Sequence, residues 1–414
     1  MPDIAEQYKQ RVSSYIEEIK VSGEPVVIFG AGRAGWHIMK VLEYHKVSVT
    51  AFSDNDPAKQ KTYYNCQVLS PEEIARRFPG GRVFLGLFVP DTARSIKKHF
   101  QLLNFRKIHY DTAAFFFVFL VEVAGRICDE EKLARSIQIL FENYEEGATH
   151  YGYTKKNYFV SPFVTSVITQ KCSLRCRDCA QLIPYYENPV HFSAESVIDD
   201  LTRYAEAFDV VPEISFHGGE PFLHPYLKDI CLQAAAIPNI IFISFVTNGT
   251  IMPSEDTLRV LSSCGADVHQ SGGYGPLSRK QDALFEAFGR HNIYSDVMFC
   301  LPTEMWIQSS PYNKHARPAA INKELYKKCV SGKICCQIMD GELHRCPLSA
   351  HGGRQGLVPL NTADFVRLHG SGRSESGLTS DIRAFLTREQ AISACDYCDP
   401  EGGTLVPPAI QLPR

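Results

Sequence analysis

Three cysteines lie within eight positions of the chain, in the stretch TQKCSLRCRDCA, and are numbered Cys172, Cys176 and Cys179. A closed structural zinc site needs four protein ligands, commonly as two separated pairs, so this trio supplies too few. Three thiolates suit a four-iron, four-sulfur cubane in which one iron has no protein ligand. A substrate or cofactor can chelate that iron, which predicts a reaction centre rather than an electron carrier alone.

The cysteines follow the first of several strand-like runs. From Phe163 onward the sequence repeats a strand, a loop and a helix, and the strand-like runs are FVTSVITQ, PEISFHGGE, IIFISFVTNGT, ADVHQSGG and SDVMFCLP. Such alternation predicts parallel strands with right-handed crossovers, arranged as an open or partial barrel. In folds of this kind chemistry gathers where strands end and loops begin. The trio comes just after the first run, and the second run delivers HGGE to the same edge.

The stretch from about residue 160 to 305 resembles the radical S-adenosylmethionine superfamily, whose CxxxCxxC signature is met by the trio. Gly218, Gly219 and Glu220 are similar to the GGE motif of that family. The resemblance implies that backbone groups and the Glu220 carboxylate hold the methionine ammonium of the cofactor. It also implies cofactor contacts from Asn248 and Ser271, which lie at strand ends.

The implied cofactors are a four-iron, four-sulfur cluster and S-adenosylmethionine. In the family the cluster gives one electron to the sulfonium, the carbon–sulfur bond breaks, and a 5′-deoxyadenosyl radical abstracts hydrogen from an unactivated carbon. The implied electron source is a flavodoxin- or ferredoxin-type reductant. The position before the third cysteine is often aromatic in the family, and here it is Asp178. The alternatives for the trio are a structural zinc knuckle and unrelated core cysteines.

A second group of cysteines resembles the shortened auxiliary-cluster module called Twitch, which is related to the larger SPASM module. The implied ligands are Cys329, Cys346, Cys395 and Cys398. An Asp340-Gly341 step between strand-like runs predicts a β-hairpin that brings the first two together. Four thiolates complete a second, auxiliary four-iron, four-sulfur cluster, but they equally hold zinc, and spacing does not separate the two. Cys335 and Cys336 fit the spacing less well.

A glycine-rich turn lies near the amino end, where the strand-like VVIF runs into GAGRAG and a helical pattern. Gly30, Gly32 and Gly35 are spaced for a tight turn and for close approach of the backbone to phosphate. A second strand ends near Asp54, whose carboxylate suits a ribose or sugar hydroxyl. These features predict a Rossmann-like domain that binds a nucleotide or nucleotide sugar. The alternative is a degenerate fold retained for assembly.

The composition argues against polyanionic partners. The formal net charge is −3, with 43 Lys plus Arg against 46 Asp plus Glu, which favours neither nucleic acid nor anionic lipid. The amino-terminal stretch predicts an amphipathic helix rather than a signal peptide. The most apolar run, AAFFFVFLVEVA, meets Glu122 after nine residues, short of the ~20 needed to cross a bilayer. We therefore expect a cytoplasmic protein with reduced cysteines and no nucleic-acid or membrane partner.

The length of 414 residues exceeds what one hydrophobic core usually serves. The predicted fold class is α/β, with a partial (β/α)6 TIM-like barrel at its centre. We expect a Rossmann-like domain over 1–128, a helical linker over 129–158, the barrel over 159–320, and a small Twitch-like α+β module over 321–414.

The substrate class follows from the resemblance. Enzymes with Twitch or SPASM modules act on ribosomal peptides, protein side chains, or sugars and aminocyclitols. Peptide-modifying relatives often carry a winged-helix domain in front, whereas the amino-terminal stretch here resembles domains fused to sugar-modifying and polysaccharide-assembly enzymes. We therefore expect an oxygen-sensitive enzyme that epimerises, dehydrogenates or deoxygenates a small-molecule carbohydrate or nucleotide sugar. The alternatives are a peptide or protein maturase, and a non-enzymatic electron-transfer or scaffold protein with two clusters.

Overall fold

The computed structural model of the chain describes residues 3–60, 62–145, 158–298, 304–308, 312–329, 335–370, 375–399 and 403–413. The chain divides into two compact units, one built mainly from residues 1–150 and the other mainly from residues 159–414. Residues 146–157, in the predicted linker, lie outside the described residues. The four predicted domain ranges stay predictions.

The first unit contains a six-stranded sheet in the order β3-β4-β2-β1-β5-β6, parallel except where β3 meets β4. The strands are β1 (Val26–Phe29), β2 (Ala51–Ser53), β3 (Thr62–Tyr63), β4 (Cys66–Leu69), β5 (Arg82–Leu85) and β6 (Ile108–His109). The helices are α1 (Ile4–Ser22), α2 (Arg33–Tyr44), α3 (Pro71–Arg77), α4 (Pro90–Leu102), α5 (Thr112–Val118) and α6 (Glu130–Glu145). Strand β1 lies between β2 and β5, as in a doubly wound sheet.

Local sequence signals explain the ends of these elements. The side chain of Asp3 caps α1 by accepting from the Glu6 N–H, and Gly23 ends the helix in the left-handed conformation. The apolar run AAFFFVFLVEVA forms α5 and a π-helical turn, Phe119–Ala124, whose aromatic side chains are buried. Within the described residues, no helix combines the length and the apolar character that a membrane span requires.

The second unit contains an eight-stranded sheet in the order β11-β10-β9-β8-β7-β13-β14-β15, and a separate pair, β12 with β16. The strands of the large sheet are β7 (Phe163–Thr169), β8 (Val211–Gly218), β9 (Ile240–Thr247), β10 (Asp267–Ser271), β11 (Ser295–Met298), β13 (Cys335–Met339), β14 (Glu342–His344) and β15 (Phe365–Arg367). The separate pair is β12 (Trp306–Ile307) and β16 (Leu405–Val406). The helices are α7 (Ala194–Glu206), α8 (Leu227–Ala236), α9 (Glu255–Ser263), α10 (Gln281–Arg290), α11 (Ala319–Lys328) and α12 (Glu375–Thr387).

The α/β class predicted from the sequence is confirmed. Strands β7 to β11 pair in parallel with their neighbours in chain order, and helices alternate with them. Alternate side chains divide the strands into two faces. On β8 and β9 the apolar face contains Phe216 and Phe245, which stack on each other, while Phe222 contacts both Phe245 and Phe288 of α10.

The carboxyl-terminal part continues the same sheet. Strand β13 pairs in parallel with β7, so a sixth parallel strand joins the set at the edge opposite to β11. Strands β13 and β14 form the predicted hairpin around Asp340 and Gly341, which have φ angles of 51° and 78°. These positive angles are those of a type I′ turn, for which Asp-Gly is a favoured sequence. The hairpin prediction is therefore confirmed.

Candidate functional site

The three clustered cysteines lie on the loop that follows β7. Cys176 is buried, and Cys172 and Cys179 are partly exposed. Burial, with smaller contributions from Glu220, Cys179 and Cys176, raises the pKa of Cys172 to about 12. Burial, with a smaller contribution from Cys179, raises the pKa of Cys176 to about 11. The three thiols are therefore close enough to interact electrostatically. A bound metal cation is needed to keep them ionised.

The donor set suits a cluster in its chemistry. Three thiolates on one loop are the ligands of an iron–sulfur cubane with one open iron. Within the part of the chain that the structure describes, no group of three or more His, Cys, Asp or Glu residues is already arranged around a metal position. The fit of the three cysteines to a cluster rests on their being thiols and on their proximity in one loop.

Gly218 and Gly219 fix the base of the cysteine loop. A Cβ atom on Gly218 would lie 2.0 Å from the carbonyl oxygen of Thr169, and one on Gly219 would lie 2.0 Å from that of Lys171. The Gly219 N–H donates to the Thr169 carbonyl at 2.8 Å, and the Glu220 N–H donates to the Lys171 carbonyl at 2.9 Å. Only glycine permits this approach, so the two positions determine how closely β8 meets the loop.

Glu220 lies at the centre of these contacts and is fully buried. Its carboxylate accepts hydrogen bonds from Thr247 Oγ1 at 2.9 Å, from the Asn248 N–H at 2.8 Å and from the Phe222 N–H at 3.2 Å. Burial raises the pKa of Glu220 to about 7, and the three hydrogen bonds oppose that rise. The carboxylate thus joins the ends of β8 and β9. Its contact with the methionine ammonium stays a prediction.

Asn248 connects the end of β9 to the cysteine loop. Its Nδ2 donates to Cys172 Sγ at 3.4 Å and to Ser173 Oγ at 3.0 Å. Its Oδ1 accepts from the Thr250 N–H at 3.0 Å. The structure therefore brings Asn248 against a predicted cluster ligand. Ser271 ends β10 at the same edge of the sheet, beside Met298 at the end of β11.

Asp178, the departure from the family pattern, is buried beside its neighbour. Its carboxylate accepts from Arg177 Nε at 2.8 Å. The Arg177 carbonyl in turn accepts from Tyr185 Oη at 2.7 Å. An ion pair between neighbouring residues and a hydrogen bond from Tyr185 therefore stabilise this part of the loop.

A polar face on strands β8 to β11 was not predicted. Glu213, at alternate spacing with Ser215 and His217 on β8, accepts from Ser244 Oγ of β9 at 2.6 Å. His269 of β10 lies with its Nε2 3.9 Å from Glu213 Oε1 and its Nδ1 2.6 Å from Asp296 Oδ1 of β11. Burial lowers the pKa of His217 to about 4, so that imidazole is neutral. The alternating pattern of PEISFHGG is the signal that could have revealed this face.

The four auxiliary cysteines also lie near one another. Burial raises the pKa of Cys346, and Cys395, Cys398 and Cys329 raise it further. Burial raises the pKa values of Cys395 and Cys398 to about 11, again with a contribution from Cys329. Cys335 is a fifth neighbour, because burial and then Cys336 and Cys329 raise its pKa to about 12. These thiols are therefore within electrostatic range of one another, and their role as ligands of one metal site stays a prediction.

Arg317 holds the CDYC loop and was not predicted. Its Nη1 donates to the carbonyl oxygens of Cys398 at 2.9 Å and Cys395 at 3.3 Å. Its backbone N–H donates to Asp396 Oδ1 at 2.8 Å. One side chain thus fixes the backbone of two predicted ligands.

A buried polar chain runs from the cysteine loop to the carboxyl-terminal module. Gln181, two residues after Cys179, has its Oε1 2.6 Å from His351 Nε2 and accepts from Gln337 Nε2 at 2.7 Å. The other imidazole nitrogen, His351 Nδ1, lies 2.8 Å from Tyr186 Oη. Burial lowers the pKa of His351 to about 3, so the ring is neutral, with one donor and one acceptor nitrogen. Hydrogen bonds therefore connect the residues after the cysteine loop with β13 and with His351.

In the first unit Asp54 contacts the glycine turn. Asp54 Oδ2 accepts from the Ala31 N–H at 3.0 Å. A Cβ on Gly35 would lie 2.0 Å from the Gly30 carbonyl oxygen, whereas a Cβ on Gly32 would meet nothing within 4 Å. Gly32 caps α2 without a side-chain hydrogen bond. Gly35 is therefore packed closely against the Gly30 backbone, whereas the space at Gly32 is free. Nucleotide binding at this turn stays a prediction.

Comparison with known proteins gives one family match and several partial relatives. Residues 166–271 match the model of the Radical SAM superfamily. The chain is 29% identical over 99 residues to a GTP 3′,8-cyclase of Stenotrophomonas maltophilia (strain K279a), which is 22% of this chain and 28% of that protein. It is 25% identical over 146 residues to the mitochondrial GTP 3′,8-cyclase of Arabidopsis thaliana, which is 35% of each. The chain thus spans about a third of the length of these curated relatives.

Two solved structures are similar over parts of the chain. BtrN in an open conformation aligns with a TM-score of 0.35 and 13% identity, over 59% of this chain and 94% of that one. SuiB of Streptococcus suis bound to S-adenosylmethionine aligns with a TM-score of 0.28 and 14% identity, over 47% of this chain and 51% of that one. Both similarities are partial.

Proposed function

We propose that this chain, which carries a Radical SAM domain at residues 166–271, is an enzyme that cleaves S-adenosylmethionine reductively and abstracts hydrogen from a sugar or nucleotide sugar. Cys172, Cys176 and Cys179 would hold a four-iron, four-sulfur cluster. When bound, that cluster supplies the electron that splits the cofactor into methionine and a 5′-deoxyadenosyl radical. Cys329, Cys346, Cys395 and Cys398 would hold a second cluster. A flavodoxin or ferredoxin would supply the electrons.

One observation carries the proposal. The loop with the three cysteines is held by two neighbouring strands at once, through the Gly218-Gly219 approach and through Asn248 Nδ2 on Cys172 Sγ. These contacts bring the three matched motifs to one edge of the parallel sheet, where α/β enzymes place their chemistry. A structural zinc knuckle gains nothing from glycines and an asparagine on two neighbouring strands.

The polar face supports a carbohydrate substrate. A sugar presents many hydroxyl groups, each of which loses a hydrogen bond to water when it is buried, so its site must offer matching donors and acceptors. Glu213, Ser244, His269 and Asp296 supply carboxylate, hydroxyl and imidazole groups on one face of β8 to β11. That face ends at His217, the residue before Gly218, and so borders the cysteine loop.

His269 is the residue we assign to proton transfer. Its two ring nitrogens face carboxylates of different strands, at 2.6 Å from Asp296 and 3.9 Å from Glu213. An imidazole held in this way can take a proton from a substrate hydroxyl and pass it on. Dehydrogenation of a carbinol would remove that proton, together with the hydrogen atom that the radical takes from carbon and one electron that the second cluster would accept. Epimerisation returns a hydrogen atom to the carbon and needs no such base. Deoxygenation would use the same group as the acid that protonates a leaving hydroxyl.

The first unit supports a nucleotide-linked substrate. The open Gly32 position at the start of α2 and the nearby Asp54 carboxylate are suited to a phosphate and a hydroxyl group. The curated relatives are named for action on GTP. A guanine nucleotide therefore belongs among the ligands to test, beside nucleotide sugars and peptides.

The test of the activity is anaerobic. The wild-type chain, reconstituted with iron and sulfide and supplied with a reductant, should form 5′-deoxyadenosine from S-adenosylmethionine. The variant with Cys172, Cys176 and Cys179 replaced by alanine should form none, while the variant with Cys66→Ala, a cysteine of β4, should match the wild type. Formation by the triple variant would overturn the proposal.

The test of the substrate is a thermal-shift screen. Nucleotide sugars should raise the melting temperature of the wild type, because a ligand that binds only the folded chain stabilises it. The Asp54→Ala variant should lose the shift with nucleotide sugars. If peptides alone raise the melting temperature, the carbohydrate assignment fails and the alternative interpretation, a peptide or protein maturase, replaces it.

A further inference from the structure

A segment distant in sequence packs on the cysteine loop. Residues 404–412, here called the strap, begin at β16, which pairs with β12, and the Gln308 N–H donates to the Thr404 carbonyl at 2.8 Å. Val406 and Ala409 are 7% and 2% exposed. The strap is therefore anchored by two buried side chains, while Leu405, Pro407 and Gln411 are exposed.

The strap next crosses the loop that follows β10. A Cβ on Gly273 would lie 2.9 Å from Pro408 Cγ, and the φ angle of Gly273 is 78°. Gly273 comes two residues after Ser271, one of the residues predicted to contact the cofactor. The strap thus lies directly over an end of the parallel sheet.

The strap then pairs with the cysteine loop as a short antiparallel bridge between Cys176 and Gln411. The Arg177 N–H donates to the Ile410 carbonyl at 2.7 Å, and the Leu412 N–H donates to the Arg175 carbonyl at 2.8 Å. These two backbone hydrogen bonds flank Cys176 on both sides. The middle ligand of the trio is therefore held by a two-stranded ribbon.

The carboxamide of Gln411 completes the contact. Its Oε1 accepts from the Arg175 N–H at 2.8 Å, and its Nε2 donates to Cys176 Sγ at 3.2 Å and to the Ala409 carbonyl at 2.7 Å. The carboxamide therefore both accepts and donates hydrogen bonds, and one of the two atoms that accept from its nitrogen is a sulfur. A donor aimed at a thiol gains strength when the thiol becomes a thiolate.

We propose that the strap is the positioning element of the cysteine loop, and that Gln411 stabilises and tunes a cluster bound there by donating a hydrogen bond to Cys176 Sγ. The inference rests on the proposed function, since it assumes that the trio holds a cluster. Hydrogen bonds to ligating sulfurs withdraw electron density from the iron and favour the reduced state. Gln411 would therefore raise the reduction potential of the cluster that reduces the sulfonium.

Two substitutions distinguish the positioning of the cysteine loop from the effect of the hydrogen bond on the reduction potential of the cluster. Gln411→Glu keeps an acceptor for the Arg175 N–H but places no donor on Cys176 Sγ, whereas Gln411→Met removes both contacts. Leu405→Ala is the matched control, because Leu405 lies in the same strap with a side chain that is 48% exposed. All three are made in the full chain, which is reconstituted and handled without oxygen.

Two measurements then decide. The first is the midpoint potential of the cluster by redox titration followed by electron paramagnetic resonance, in a background with Cys395 and Cys398 replaced by alanine so that one cluster is read. The second is the rate at which a chelator removes iron. We expect both Gln411 variants to shift the potential to more negative values, and Gln411→Met to release iron about tenfold faster than wild type, the lower end of the effect usual for such outer contacts.

The outcomes separate this inference from the proposed function. If the wild type assembles a cluster and both Gln411 variants keep the potential and the release rate of Leu405→Ala, the strap inference is wrong and the enzyme assignment stands. If the wild type assembles no iron–sulfur cluster, the proposed function fails first. A shift with Gln411→Met but none with Gln411→Glu would reject tuning by the hydrogen bond, because only the holding contact with Arg175 would then matter.

Discussion

Asn248 Nδ2 lies 3.4 Å from Cys172 Sγ, so the end of β9 reaches the loop after β7 across the intervening strand β8. Gly218 and Gly219 of the intervening strand approach the backbone of Thr169 and Lys171, at the base of the same loop. A donor on a ligating sulfur holds the ligand in place and shares the charge of the thiolate. The ends of β7, β8 and β9 are therefore joined by direct contacts around the predicted cluster ligands.

Asn248→Asp should weaken the cluster while it leaves the fold in place. An aspartate can still accept from Thr250 as Asn248 Oδ1 does, but it cannot donate to Cys172 Sγ. We expect about tenfold weaker retention of iron against a chelator, the usual scale for outer contacts of a metal site. The control is Asn239→Asp, which breaks hydrogen bonds to the Ala205 and Phe208 carbonyls. Equal retention in both variants would contradict the role of Asn248.

Gly219→Ala should disturb the cysteine loop directly. The new methyl group would lie 2.0 Å from the Lys171 carbonyl oxygen, and a backbone atom can only give way by moving the loop. We expect the free energy of unfolding, measured with urea, to fall by ~1–3 kcal/mol, and the iron content after reconstitution to fall with it. Gly370→Ala is the matched control, because its Cβ would meet no atom within 4 Å. An unchanged iron content in Gly219→Ala would show that the close approach is dispensable.

Glu220 should make stability depend on pH. Its pKa is raised to about 7 from an ordinary value of 4.5, so the folded chain binds the proton more tightly than the unfolded chain. The contribution of the protonated carboxyl is complete below pH 4.5 and is lost as the pH rises through about 7. Relative to Glu220→Gln, which has no such proton, the wild type should lose stability between pH 5 and pH 8, by on the order of 3 kcal/mol.

Urea unfolding at the two pH values checks this prediction, with the wild type and Glu220→Gln compared at each. The difference between the two chains removes the effect of every other titrating group that they share. A constant difference from pH 5 to pH 8 would mean that the Glu220 pKa is ordinary in the folded chain.

Arg317 should determine whether the auxiliary site retains its metal. This side chain binds the carbonyl oxygens of Cys395 and Cys398, so Arg317→Ala frees the backbone that presents both thiols. We expect the variant to lose about half of the reconstituted iron while the trio keeps its share, as for two clusters of equal size. Lys323→Ala, which removes an ion pair with Glu389 on the surface, is the control. Loss of zinc in place of iron would identify a closed zinc site.

The sequence predicted the local features well, because each rests on neighbours in the chain. The Asp340-Gly341 hairpin and the α/β alternation both follow from short patterns. The GGE glycines could be placed near the cysteines, since parallel strands end at one edge, but the atoms that crowd them belong to another strand.

Long-range pairings were beyond reach. Gln411 is 235 positions from Cys176, and no periodicity connects a glutamine near residue 411 to a loop near residue 176. The pairing of β13 with β7 is of the same kind, and it was missed because the carboxyl-terminal cysteines suggested a separate module. The polar face was missed for a different reason, since a buried histidine or carboxylate in a strand is more often read as packing than as a site.

His269 should determine whether the polar face binds substrate. Its imidazole lies between Asp296 and Glu213, so His269→Gln keeps the size of the side chain but removes the group that exchanges a proton with a bound hydroxyl. With whichever sugar ligand stabilises the wild type, we expect at least about tenfold weaker binding, the cost of a lost hydrogen bond to a charged or buried partner. His291→Gln is the matched control, because His291 caps the carboxyl end of α10 and has Glu255 as its partner. Equal stabilisation of the two variants across a titration of the sugar would remove His269 from the site, and would leave the carbohydrate assignment without its structural support.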